Sequence, residues 1–172
     1  MTDTLLALST ANCRIAPLHA DDARALASIT DETVTSQVYF LPTPFTEADA
    51  RALIARSGGG DVFHAVRDSG SGELNGVIGV HRRAGEEYEI GYWFAARARG
   101  RGIATEAVRA VIDALVASRP GCAIVAECRP DNDRSRALLR RVGFVPSGLA
   151  GRGPGRMLLS WRAAPAYRID VC

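Results

Sequence analysis

A chain of 172 residues that is 47% hydrophobic and 23% charged has the balance of one ordinary globular domain with a sizeable core. A formal charge of +2, with the arginines spread along the chain and no aromatic ladder among them, argues against a nucleic-acid surface. Cys13, Cys122, Cys128 and Cys172 show no CxxC spacing and the histidines do not cluster, which argues against a metal site or a disulfide framework and fits a reduced, cytoplasmic setting.

Met1 to Asn12 lack the basic start and long apolar run of a signal peptide, and the most apolar helical stretch is interrupted by Arg109 and Asp113, so a membrane span is not expected. Cys13 to Leu18 reads as a first strand, and His19 to Ile29 as a helix starting near Asp21 or Asp22. Pro42 and Pro44 make Val38 to Phe45 an extended loop, after which Thr46-Glu47-Ala48-Asp49 reads as a capping box opening a helix to about Arg56. Asp61 to Arg67 and Leu74 to Val80 are apolar runs on either side of the turn Asp68 to Gly72, and Glu87 to Phe94 adds a third strand. Ile103, Ala107, Val108, Val111, Ile112 and Leu115 recur at helical spacing to about Ser118. Cys122 to Cys128 is apolar enough to be a central strand. Asp131 to Ser135 opens a further helix with Gly143 as its stop, and Phe144 begins a strand. Gly148 to Gly155 reads as a flexible connection, Met157 to Arg162 as a last strand, and 163–172 as a loose tail on a core of about 11–162. The expectation is one domain, 1–172, of mixed α/β layers.

Between the strand Glu89 to Phe94 and the helix from Ile103 lies Arg99-Gly100-Arg101-Gly102-Ile103-Ala104-Thr105. The first NH groups of a helix have no partner inside it, and the peptide dipoles put partial positive charge there, so an anion fits. Gly100 and Gly102 admit backbone conformations closed to other residues, while Arg97, Arg99 and Arg101 add charge around the opening. A Walker loop is excluded, since Gly102 is followed by Ile103-Ala104 where lysine and a hydroxyl residue would stand. A dinucleotide site has Gly100-x-Gly102 and Glu127 at suitable spacing, but Thr105 replaces its third glycine.

Arg99-x-x-Gly102-x-Ala104, preceded by Glu89-Ile90-Gly91-Tyr92-Trp93 and followed by Thr105-Glu106-Ala107, is similar to the acetyl-CoA signature of the GCN5-related N-acetyltransferase (GNAT) superfamily. Asn132-x-x-Ser135 with Gly143-Phe144, and Leu41-Pro42-x-Pro44-Phe45-Thr46-x-x-Asp49-Ala50, resemble further segments of its ribosomal-protein (RimJ/RimL-like) group. The resemblance covers most of the chain. It implies a mixed, mostly antiparallel sheet of about seven strands with a splay between its fourth and fifth, flanked by about four helices. It also implies acetyl-CoA as cosubstrate, no metal, and an amine acceptor that is a protein N-terminus or a small molecule, in a monomer or homodimer.

In that frame Arg99 and the backbone of Arg101, Gly102, Ile103, Ala104 and Thr105 would hold the pyrophosphate, and Asn132 the pantetheine amide, though an asparagine there is also an N-cap. Direct attack of an amine on a thioester needs a proton acceptor, an oxyanion donor and help for the leaving thiolate. Glu89 is the candidate to take the proton, directly or through water, with Glu127 second; each is also readable as an ordinary strand carboxylate. The family pattern points to Ser135 at the thiolate, with a plain first-turn residue as the other reading. Tyr92 and Trp93 read as cleft wall, and His64 and His81 have no partner spacing that nominates a base. A non-catalytic acyl-CoA-binding module is the competing function, and a dinucleotide binder a remote one.

Overall fold

The computed structural model describes residues 6–162; the expected tail, 163–172, lies outside them. Thr46 opens a helix as its sequence foretells: the hydroxyl accepts from Asp49 N at 3.2 Å while the Asp49 carboxylate accepts from Thr46 N at 2.8 Å. Such a reciprocal cap satisfies two otherwise orphaned donors, and losing one costs about 1 kcal/mol. His19 and Asp22 form the same device before the first helix. The helices are α1 (Ala23–Ile29), α2 (Glu32–Thr35), α3 (Glu47–Arg56), α4 (Ile103–Ser118) and α5 (Asp133–Arg141).

The strands are β1 (Leu8–Ser9), β2 (Cys13–Pro17), β3 (Asp61–Asp68), β4 (Leu74–Arg82), β5 (Glu87–Phe94), β6 (Ala123–Cys128), β7 (Phe144–Ala150) and β8 (Met157–Trp161). They form one sheet in the order β1-β2-β3-β4-β5-β6-β8-β7. All neighbours are antiparallel except β5 and β6, which run parallel and therefore need the crossover that α4 supplies. The additions to the expected layout are β1, two residues long on the edge, and α2, a single turn capped by Asp31; both are too short to leave a periodic signal.

Alternate residues of a strand face opposite sides, and the two sides bury different helices. Val66, Ile78, Val80, Ile90 and Phe94 pack with the α4 stripe and with Leu138 and Leu139 of α5. Phe63, Ala65, Val77 and Trp93 pack with Leu26 and Ile29 of α1 and Ala50 and Leu53 of α3. With both faces of β4 covered, Leu74 to His81 are all buried, which is why that run is apolar throughout.

β5 and β6 pair from Glu87/Ala123 to Ile90/Ala126 and then part. Beyond that point Gly91 to Phe94 bond only β4, and Glu127 and Cys128 bond β8, so the sheet opens between them.

One expectation is corrected. Gly148 to Gly155, expected as a flexible connection, is largely tied down: β7 runs to Ala150, and Arg152 N and Gly153 N both donate to the Glu127 carboxylate. Arg156, 13% exposed, donates to Glu127 O at 2.8 Å and to Gln37 O at 2.7 Å. Glycine content made the stretch look loose; a buried carboxylate from a neighbouring strand orders it.

Candidate active site

The parting of β5 and β6 opens into a cavity of about 870 Å3. One wall is β4 and β5 (Gly79, His81, Glu89 to Phe94), another the start of α5 (Asn132 to Ser135), and a third α2 with the segment after it, through Tyr39 and Phe40.

The first wall ends in the glycine turn. Gly100 has φ 73° and Gly102 φ 78°, left-handed values that strain any residue with a Cβ. The first helical bond of α4 is Glu106 N to Gly102 O at 3.0 Å, so the NH groups of Ile103, Ala104 and Thr105 have no partner within the helix. Ala104 and Arg99 line the cavity; Arg101, Gly102 and Thr105, at the start of α4, are not among its lining residues, Arg101 lies near Asp68, and the Ile103 side chain is buried in the core. Arg99 spends Nη2 on Thr33 Oγ1 at 2.9 Å, joining the turn to α2. Arg97, expected at the opening, turns instead to the start of β4, where it donates to Leu74 O and pairs with Glu73 at 3.0 Å.

Asn132 caps α5: its Oδ1 accepts from Ser135 N at 3.1 Å, which leaves its amide NH2 as a donor at the cavity wall. The Tyr92 phenol stands 3.0 Å from Ser135 Oγ and 3.3 Å from Ser135 O. Burial pushes the Tyr92 hydroxyl far up from its ordinary range, so it is a neutral donor at any working pH. Tyr92 is thus more than wall. Its partner lies on another element far along the chain, and no local spacing could have signalled it.

The opposite side of the cavity carries charge. Asp61, His81 and Glu89 stand directly across from one another on β3, β4 and β5, and therefore share a face. Asp61 Oδ1 bonds His81 Nδ1 at 2.8 Å. Glu89 Oε2 accepts from Arg83 Nε at 2.9 Å and from Arg152 Nη1 at 3.0 Å. Glu127, the second carboxylate, has both oxygens committed to backbone donors of the β7–β8 connection. His64 is fully buried, accepting from Leu6 N at Nε2 and facing Ile78 O at Nδ1. Trp93 is wall: its indole NH donates to Thr30 Oγ1 at 3.1 Å. Cys128 is a small core residue whose thiol burial pushes up. Among the described residues no cluster of histidine, cysteine, aspartate or glutamate is placed to hold a metal ion.

A family model for the acetyltransferase (GNAT) domain matches residues 13–145. The chain belongs to this family. Within the GNAT family, the chain is 37% identical over 89 residues to YdaF, a candidate ribosomal N-acetyltransferase of Bacillus subtilis (strain 168), covering 48% of this chain and 46% of the relative. It is 36% identical over 78 residues to the ribosomal-protein-serine acetyltransferase of Escherichia coli (strain K12), covering 44% of each. The aligned stretches thus span about half the length of these curated relatives. A GNAT acetyltransferase structure from Bacillus anthracis superposes with a TM-score of 0.80 at 24% identity, over 90% of this chain and 97% of that one. The structure of MccE, the microcin C7 self-immunity acetyltransferase, in complex with acetyl-CoA and AMP, superposes with a TM-score of 0.71 at 20% identity, over 88% and 92%. These likenesses show the GNAT fold.

Proposed function

We propose that this chain is an acetyl-CoA-dependent N-acetyltransferase, formed by a single domain over 1–172 and working in the cytoplasm as a monomer or homodimer, whose acceptor is a protein N-terminal α-amine. One observation carries the reading: the splay beyond Ile90 and Ala126 opens between the uncapped start of α4, the Ser135 hydroxyl and the Glu89 carboxylate. That is a donor grip, a leaving-group hydroxyl and an acceptor-side charge around one cavity. The kinship with enzymes named for ribosomal proteins supports the acceptor class.

The helix start and Arg101 suit a pyrophosphate, and the free amide NH2 of Asn132 suits a pantetheine carbonyl. Ser135 points its hydroxyl hydrogen at the departing sulfur, and the neutral Tyr92 phenol, 3.0 Å behind, holds the serine in place while water resupplies the proton. Glu89 draws the acceptor's ammonium to the opening. An α-amine has a pKa of about 7.7 to 8.0 and a lysine about 10.4, so the α-amine gives up its proton far more readily near pH 7.

The test is a thermal shift with acetyl-CoA, CoA and NAD, paired with thiol release over Ser-initial and Ala-initial peptides, a lysine peptide and small amines. At a hundred times its dissociation constant acetyl-CoA should stabilise the fold by about 2.7 kcal/mol. A shift with NAD alone would end the reading. Binding without thiol release for any amine would make the chain a non-catalytic acyl-CoA-binding module.

A further inference from the structure

The acceptor side of the cavity holds a histidine that the motif pattern does not reach. His81 is 8% exposed and lines the cavity, with its ring edge against Phe63 at a centroid distance of 5.2 Å. Its Nδ1 lies 2.8 Å from Asp61 Oδ1, and a carboxylate can only accept, so Nδ1 carries the hydrogen and the lone pair of the neutral ring is on Nε2. Nε2 lies over the bare backbone of Gly79, where an added Cβ would stand 2.5 Å from it. Gly79 is directly opposite Gly91, and a Cβ on Gly91 would meet nothing within 4 Å. Gly91 therefore leaves open space beside the point where β5 and β6 part, and the His81 ring, seated over Gly79 on the neighbouring strand, stands at its edge.

Resting on the N-acetyltransferase reading above, we propose that His81, held by Asp61, takes the proton from the acceptor's ammonium at Nε2, and that Glu89 is the counter-ion that brings this ammonium in. Glu89 is poorly placed to do both: its Oε2 already accepts from Arg83 and Arg152. The proton on the ammonium passes to Nε2, giving imidazolium and a neutral amine. The amine's lone pair forms the C–N bond as the C–S bond breaks. The nitrogen's second proton leaves to water, the sulfur gains the Ser135 proton, a water proton restores the serine, and His81 returns its proton to solvent.

The surroundings support the role. Burial holds the imidazole below its usual range, against the raising effects of Asp61 and Glu89 and with a lowering one from Arg83. The other charged groups on the cavity wall are Arg56 of α3, Arg99 before α4, Glu127 and Arg156 from the β6–β8 side, and Asp131, Asp133 and Arg134 at the start of α5, and Arg152 reaches in through Glu89. His81 is therefore neutral at pH 7 and able to accept. An α-ammonium, at about 7.7 to 8.0, lies nearer to an imidazole than a lysine ammonium at about 10.4 does. Transfer from a lysine ammonium to the same ring is therefore less favourable than transfer from an α-ammonium by a factor of roughly several hundred, about 2.5 pKa units.

The experiment is a pH profile of kcat and kcat/KM with acetyl-CoA and a Ser-initial peptide, on the wild type, His81→Gln and Asp61→Asn. His81→Gln should lower kcat roughly 100-fold, leave the acetyl-CoA dissociation constant within about twofold, and move the acid limb of kcat/KM up to the pKa of the free amine. Asp61→Asn, which keeps an acceptor for Nδ1 but removes the charge, should shift the acid limb of kcat to lower pH. Asp61 is half exposed, so this variant speaks even where the glutamine one fails to fold. An unmoved acid limb in either folded variant overturns the proposal while the wild type's activity keeps the enzyme reading intact. A wild type that transfers acetyl to no amine ends both.

Discussion

The two sides of the cavity, proposed above as donor side and acceptor side, are built in different ways. The donor side is local: a glycine turn, the first NH groups of α4 and an N-capping asparagine three residues before Ser135 all come from short continuous stretches. The acceptor side is assembled across the sheet, with Asp61, His81 and Glu89 in one row over three strands and Arg152 reaching Glu89 from a fourth region. A grip made of backbone and caps tolerates wide changes elsewhere in the chain. A row of charges made by strand register does not, so acceptor choice should be the more easily altered property.

That contrast can be tested from its strongest consequence downward. Glu127→Ala removes a carboxylate that is 4% exposed, strips Arg152 N and Gly153 N of their acceptor and leaves Arg156 without its counter-ion. Urea unfolding should show a loss of about 3 kcal/mol, and in surviving protein the acceptor KM should rise while acetyl-CoA affinity holds. An equal loss of both would mean that the two sides are not separable.

On the donor side, Ser135→Ala should lower kcat roughly 100-fold with acetyl-CoA affinity nearly unchanged, and Tyr92→Phe about tenfold, read by stopped-time thiol release and calorimetry. Matching losses in affinity would return Ser135 to a purely structural place in α5. Gly102→Ala forces a left-handed residue with a Cβ at φ 78°, at a cost of about 1 to 2 kcal/mol, and should weaken acetyl-CoA about tenfold without moving the acceptor KM.

The smallest effect concerns α3, whose Leu53 and Arg56 back the acceptor side. The Thr46 hydroxyl and NH hold the Asp49 carboxyl below the usual carboxylate range. A depressed carboxylate stabilises the fold fully above its unfolded pKa, about 3.9, and loses that contribution as pH falls through the lower folded value. The stability gap between wild type and Asp49→Asn should be constant near neutrality and close below about pH 4 in urea titrations. A gap independent of pH would assign the cap to the amide as well as the acid.

Local chemistry made much of this legible beforehand. The capping box at Thr46, the α4 stripe, the turn at Gly100 and Gly102 and the cap at Asn132 each rest on residues within a few positions of one another, and helices are specified at that range. Tyr92 could be placed on its strand but not joined to Ser135, and His81 had no visible partner until β3 was laid beside β4. Gly148 to Gly155 failed for the same reason, because its order comes from Glu127 on another strand.

By itself, then, the sequence determined every element but the short β1 and α2, together with the glycine turn and the caps, since helical periodicity, capping and left-handed glycines act over a handful of residues. Only the tertiary structure decided that Asp61, His81 and Glu89 share one face beside the opening. A strand's register sets which side chains stand opposite each other, and register depends on the whole sheet.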